Sequence, residues 1–101
     1  MIIYNVSVKV NKDIANEWLS WLQNEHLADV LGTGKFTRAQ ICKLLDQDET
    51  DGIAYVIQYY ADNYEQYKQY VDEHSDAMRK KGYDKFGNQF IAFRTIMELI
   101  Q

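Results

Sequence analysis

One cysteine, Cys42, is all the thiol chemistry the chain holds. It has no partner for an internal disulfide, which fits a reducing, cytoplasmic setting and, by default, the cytosol of a bacterium. The two histidines, His26 and His74, lie far apart, and with that lone cysteine they make no metal-ligand spacing. No metal and no cofactor is therefore expected. Basic residues are the minority, 11 Lys and Arg against 15 Asp and Glu, for a formal net charge of −4. Nucleic acid and anionic membrane both require a basic face, so neither is expected as a partner. No apolar run is long enough to cross a bilayer. The opening Met1-Ile2-Ile3-Tyr4-Asn5-Val6 carries no basic leader, so no signal peptide is expected.

What remains is the composition of one globular domain. The 101 residues suffice for a single core, spanning 1–101, and are 47% hydrophobic and 14% aromatic, with no low-complexity segment. Ile2 to Val10 alternates, with Ile2, Tyr4, Val6, Val8 and Val10 on one face, and reads as a half-buried strand. Asn11 or Asp13 is placed to cap a helix running to about Leu31, which Gly32 stops. Lys35 to Leu45 alternates again. Asp46 to Gly52 is a polar hairpin connection ending in Asp-Gly; its acids only partly resemble a calcium loop, since Asp51 stands at the position that demands glycine. Ile53 to Tyr60 is a third strand. Asp62 or Asn63 caps a second helix whose buried stripe holds Tyr64, Tyr67, Val71, His74 and Met78 and continues to Gly82 and Phe86. Gly82 marks a close approach of helix to sheet, and Gly87 ends the helix. Gln89 to Ile100 is the last strand.

The order β-α-β-β-α-β predicts an α+β, ferredoxin-like fold: a four-stranded antiparallel sheet with two helices on one face. The opposite face has no cover within the chain, and apolar residues occur on both faces. Pairing of two copies through their sheets is the expected outcome.

The RNA-recognition motif uses the same plan, but Asp51, Ile53 and Gln58 stand where a basic and two stacking residues belong. A better match rests on three stretches: Met1-Ile2-Ile3-Tyr4-Asn5-Val6; W-L-x-W-L-x-x-E-H-L from Trp18, running on to Gly32-Thr33-Gly34-Lys35-Phe36-Thr37; and Phe86-Gly87-Asn88-Gln89-Phe90-Ile91-Ala92-Phe93-Arg94-Thr95. On these the chain resembles a small family of bacterial proteins classed as a domain of unknown function, within the dimeric α/β-barrel superfamily. That superfamily contains monooxygenases of aromatic polyketides, lactone isomerases, haem-degrading enzymes and sugar mutarotases. The resemblance implies a homodimer and a small-molecule pocket between helices and sheet, often with a histidine; haem binding enters only through this analogy. Fold alone does not fix which activity is present.

The stretch from Trp18 to Gly34 carries the candidate chemistry. At roughly 100° per residue, Ile14, Trp18, Leu22, Glu25 and Asp29 share one stripe. Carboxylates at the negative end of a helix dipole call for a compensating partner. His26 lies at the stripe's edge, where those carboxylates and the helix terminus are expected to favour its protonated form. A pocket is predicted from Trp18, Trp21, Glu25, His26, Phe36, Arg38 and Arg94: aromatic walls with a few polar groups. In an enzyme, such as an isomerase or monooxygenase-like protein, His26 would be the general acid or base. Glu25 would orient it, and an arginine would hold an anionic substrate. In a plain binder the same residues grip a small molecule. In a structural or interaction module the tryptophans are core and the arginines pair with Glu25 and Asp29. His74 and Cys42 are read as packing residues.

Overall fold

The computed structural model describes residues 1–101. The elements run β1 (Ile2–Val10), α1 (Ala15–Trp21), α2 (Leu27–Leu31), β2 (Arg38–Lys43), β3 (Ile53–Ala61), α3 (Tyr64–Glu73), α4 (Ser75–Phe86) and β4 (Phe90–Glu98). The strands form one antiparallel sheet in the order β2-β3-β1-β4. This is the ferredoxin-like plan expected from the alternation of strand and helix periods. No helix is long and apolar enough to cross a membrane.

β1 sits between two partners, and its register decides which residues meet. Tyr4 lies opposite Tyr59 and Ile96, Val6 opposite Ile57 and Arg94, and Val8 opposite Tyr55 and Ala92. Because side chains alternate along a strand, these residues share the face beneath the helices. The core gathers there: Ile2, Tyr4, Val8, Val10, Tyr55, Ile57 and Tyr59 pack against Trp18, Leu22, Val30, Tyr70 and Phe86. On the outward face Asn5 lies opposite Gln58 and Thr95, and Ser7 opposite Val56 and Phe93.

Several local expectations are refined. β2 is shorter than Lys35 to Leu45 because Phe36 leaves the strand path to join the core and Lys35 reaches Gln69 at 2.7 Å. The second helix is two, hinged at His74, whose backbone (φ −130°, ψ −28°) is not helical. The Ser75 hydroxyl donates to the Val71 carbonyl at 3.0 Å, a local bond that competes with helix continuation. Tyr70 is buried, whereas Tyr64 is exposed. Asn63 is the cap, accepting from the Gln66 N–H at 2.9 Å, while neither Asn11 nor Asp13 caps α1 through its side chain. After α2 the left-handed residue is Gly34, not Gly32, which keeps helical angles. Gly82 meets its expectation: a Cβ there would stand 3.3 Å from the Phe90 ring and 3.4 Å from Trp21.

Candidate functional site

α1 and α2 are one helical arm joined by a π turn, Leu22–His26, in which the Leu27 N–H bonds the Leu22 carbonyl five residues back. The reason is legible in the spacing. The residues facing the sheet are Trp18, Leu22, His26 and Val30, each four apart. In an ideal α-helix every such step drifts by roughly 40° around the axis. A π turn inserts one residue and takes up that drift, a device frequent at functional sites. It also overturns the projected stripe: His26 turns inward, and Glu25 turns out and is exposed.

Beneath the arm, between it, α4 and the inward face of the sheet, is a cavity of about 70 Å³. That is several times the space one water needs. Its lining is mostly apolar and includes Trp18, Trp21, Leu22, Val30, Met78 and Phe90. The polar lining comes from His26, Tyr4, Tyr59, Tyr70, Arg79 and Arg94.

Of the seven residues predicted for the pocket, four line it: Trp18, Trp21, His26 and Arg94. Phe36 is buried one layer back, 4.8 Å between ring centroids from Tyr70 and 5.4 Å from Tyr59. Arg38 lies on the other side of the sheet, its guanidinium 3.7 Å over the Tyr60 ring. Glu25 lines nothing. The compensating partner expected for Asp29 is Lys81 of α4, at 3.1 Å. The tyrosines, Arg79 and Met78 were not assigned to the pocket from sequence. Alternation had put Tyr4 on an inward face, but eight tyrosines gave no sign which would converge.

Electrostatically the site reverses one expectation. His26 stacks on Trp21, ring centroids 4.4 Å apart, and burial is the largest influence on it. Desolvation holds its pKa down to about 4; Asp29 pulls upward, and Lys81 and Arg94 push further down. The imidazole is therefore neutral at pH 7, because removal from water penalises the cation more than one distant carboxylate favours it. His26 Nδ1 and Trp18 Nε1 are both buried with no hydrogen-bond partner. Such orphaned groups cost about 1–3 kcal/mol each until a partner arrives. Burial also raises the phenols of Tyr59 and Tyr70, with neighbouring tyrosines adding and Arg94 opposing, so both stay protonated.

The profile of one family, described as a domain of unknown function (DUF4286), matches residues 1–100. No curated protein matches the sequence. Among solved structures, a dimeric ferredoxin-like protein from an uncultured marine organism superposes with a TM-score of 0.76 at 7% identity, covering 99% of this chain and 95% of that one. A candidate antibiotic biosynthesis monooxygenase from Nitrosomonas europaea gives 0.73 at 12% identity, with both chains fully covered. SnoaB, a cofactor-independent oxygenase from Streptomyces nogalater, crystallised as its N63A mutant, gives 0.67 at 11%, covering 99% and 93%. At such identities the likeness is one of fold.

Proposed function

The chain belongs to the DUF4286 family, a domain of unknown function, and on that premise we propose that it is a homodimeric small-molecule-binding protein whose ligand sits in the cavity beneath the first helical arm. The observation that carries this reading is a half-open, largely apolar pocket whose lining includes two buried ring nitrogens, Trp18 Nε1 and His26 Nδ1, with no partner within the chain. Apolar walls with a few unspent polar groups are the ordinary make-up of a small-ligand site.

The homodimer follows from the other side of the sheet. Ile91, Phe93 and Met97 of β4 alternate onto the outward face and are 55%, 65% and 37% exposed. A second copy laid sheet to sheet would cover them, and the marine relative of the same fold is described as dimeric.

A second reading is favoured by the neutral His26. At pH 7 an imidazole held near pKa 4 is unprotonated, so a free ring nitrogen is open to accept a proton from a bound substrate, as in a cofactor-independent isomerase or monooxygenase-like enzyme, although as a weaker base than one poised near pH 7. Glu25, exposed, has no part in orienting it.

The test of binding is a fragment screen by thermal unfolding on the wild type and on Ala92→Leu, which fills the cavity from β4. Fragments that raise the midpoint of the wild type and not of the variant support the reading. If the two proteins respond alike to every fragment, it fails. Turnover of a bound compound, lost in His26→Gln while binding persists, would favour the enzyme.

A further inference from the structure

The polar side chains around the cavity are almost all donors, and most have nothing to donate to. Tyr4, Tyr59 and Tyr70 are only 4%, 4% and 3% exposed as whole residues, and their hydroxyls bond to no protein group but keep access to open space rather than being sealed in; the one tyrosine hydroxyl that bonds to the protein is that of Tyr60, on the other face. The Tyr4 ring centroid lies 6.0 Å from that of Tyr59 and 5.7 Å from that of Tyr70, so the three phenols form one cluster. Arg79 of α4 and Arg94 of β4 line the same cavity. The ion pairs of the chain all use lysines, and neither arginine is in one. The third arginine, Arg38, is engaged with Tyr60. In a chain where acids outnumber bases 15 to 11, these two arginines, outside any ion pair and both exposed, stand at the mouth of one pocket, and no carboxylate lines it.

A group that satisfies several donors at once and offers none is an ionised carboxylate, whose two oxygens accept about four hydrogen bonds. The planar guanidinium fork matches that group in shape as well as charge. The remaining walls are flat and apolar, among them Trp18, Trp21 and Phe90, so the rest of the ligand is apolar and flat. At about 70 Å³ the space is smaller than the roughly 150 Å³ that takes a benzene ring, so a ligand with a single head group seats part of its ring there and the rest at the pocket's open side, and a polyanion finds no room. Taking the binding reading above as its basis, we propose that the ligand is a small aromatic or otherwise flat monocarboxylate. Its carboxylate is held at the mouth by Arg94 with the phenols of Tyr59 and Tyr70, and Arg79 adds charge from α4.

Trp18 and Trp21 are the only tryptophans and both line the cavity, so their emission reports occupancy directly. Benzoate and phenylacetate are titrated against the wild type beside their neutral counterparts benzamide and phenylacetamide. The acids should bind at least about tenfold more tightly than the amides, the scale of one charge-assisted contact. Arg94→Gln should remove that preference, so that acid and amide bind alike; Arg94→Lys, which keeps the charge without the fork, should fall between. Tyr59→Phe should weaken the acids severalfold, and Arg38→Gln should change nothing. Equal affinity for acids and amides, or an Arg94→Gln protein that still prefers acids, overturns the carboxylate assignment while the cavity reading stands on its fragment screen. Silence from all four probes overturns it too, and only matching responses of wild type and Ala92→Leu in that screen would remove the cavity reading with it.

Discussion

The two faces of this one sheet handle their polar groups in opposite ways. On the outward face Gln40, Gln58, Asn5 and Thr95 stand in register across all four strands and bond in sequence: the Gln40 amide donates to Gln58 at 2.8 Å, Gln58 to Asn5 at 3.2 Å, and Asn5 to Thr95 at 3.3 Å. Every amide there has a partner, and what lacks one is apolar: Ile91 and Phe93. On the inward face most apolar groups are packed, with Ile96 near the sheet edge the exposed exception, and the buried groups left without a partner are polar, namely His26 Nδ1 and Trp18 Nε1. Exposed apolar area calls for another surface, and orphaned buried polar groups call for a partner. The same strands thus present one face whose unmet groups are apolar and another whose unmet groups are polar.

The largest effect should come from putting a charge on the outward face. Phe93→Asp places a carboxylate at the centre of the exposed β4 strip, where a sheet-to-sheet dimer would bury it without a partner. Self-association should weaken by at least about a hundredfold, roughly 3 kcal/mol or more, while far-UV circular dichroism stays unchanged. Light scattering over a micromolar dilution series reads this out. A wild type that is already monomeric, or a Phe93→Asp variant as dimeric as its parent, would mean that the outward face does not do what its exposed residues suggest.

The next effect is on the inward face and concerns pH. His26 has a folded pKa near 4 against about 6.5 unfolded, so between those values the unfolded chain binds more protons. The stability that this group contributes is complete above pH 6.5 and is lost as pH falls toward 4. Going from pH 7 to pH 5 should cost the wild type roughly 1.5–2 kcal/mol more than His26→Gln. Urea unfolding of both proteins at the two pH values isolates the term, since their carboxylates are common to both. Had the histidine been held charged, as its acidic neighbours suggest on paper, the difference would carry the opposite sign.

That reversal shows where the sequence was readable and where it was not. The β-α-β-β-α-β order of elements and the contact at Gly82 follow from periods of two and 3.6 and from turn residues, which are local signals. Trp18, Trp21, His26 and Arg94 were found because aromatic and titratable residues clustered on elements whose facing was already clear. Glu25 was misplaced because a uniform 100° projection has no place for a π turn, although the four-residue spacing of Trp18, Leu22, His26 and Val30 held the signal. Phe36 and Arg38 were assigned inward together, yet one went a layer too deep and the other to the far face. The sign of the His26 shift depends on the depth of burial, which no linear pattern reports. Arg79 lines the cavity from α4, which starts anew after the non-helical His74, and the helical period read straight through His74 gave no sign of that break.

The smallest effect discriminates most finely between the faces. Gln58 is half-buried and Tyr59 is 4% exposed, so burial alone ranks Tyr59 as the more sensitive site. Hydrogen bonding gives the reverse order when only polar atoms are removed. Gln58 joins Gln40, Asn5 and the Tyr60 hydroxyl, and Gln58→Ala breaks all three contacts for a loss of about 1 kcal/mol. Tyr59→Phe deletes a hydroxyl that holds no bond within the chain, so the unliganded protein should change by no more than about 0.5 kcal/mol, with a slight gain as plausible as a loss. Chemical denaturation of both variants at pH 7, above the titration of His26, supplies the comparison. If Tyr59→Phe proves the costlier of the two, its hydroxyl is already engaged by a protein group, and the inward face is then as self-satisfied as the outward one.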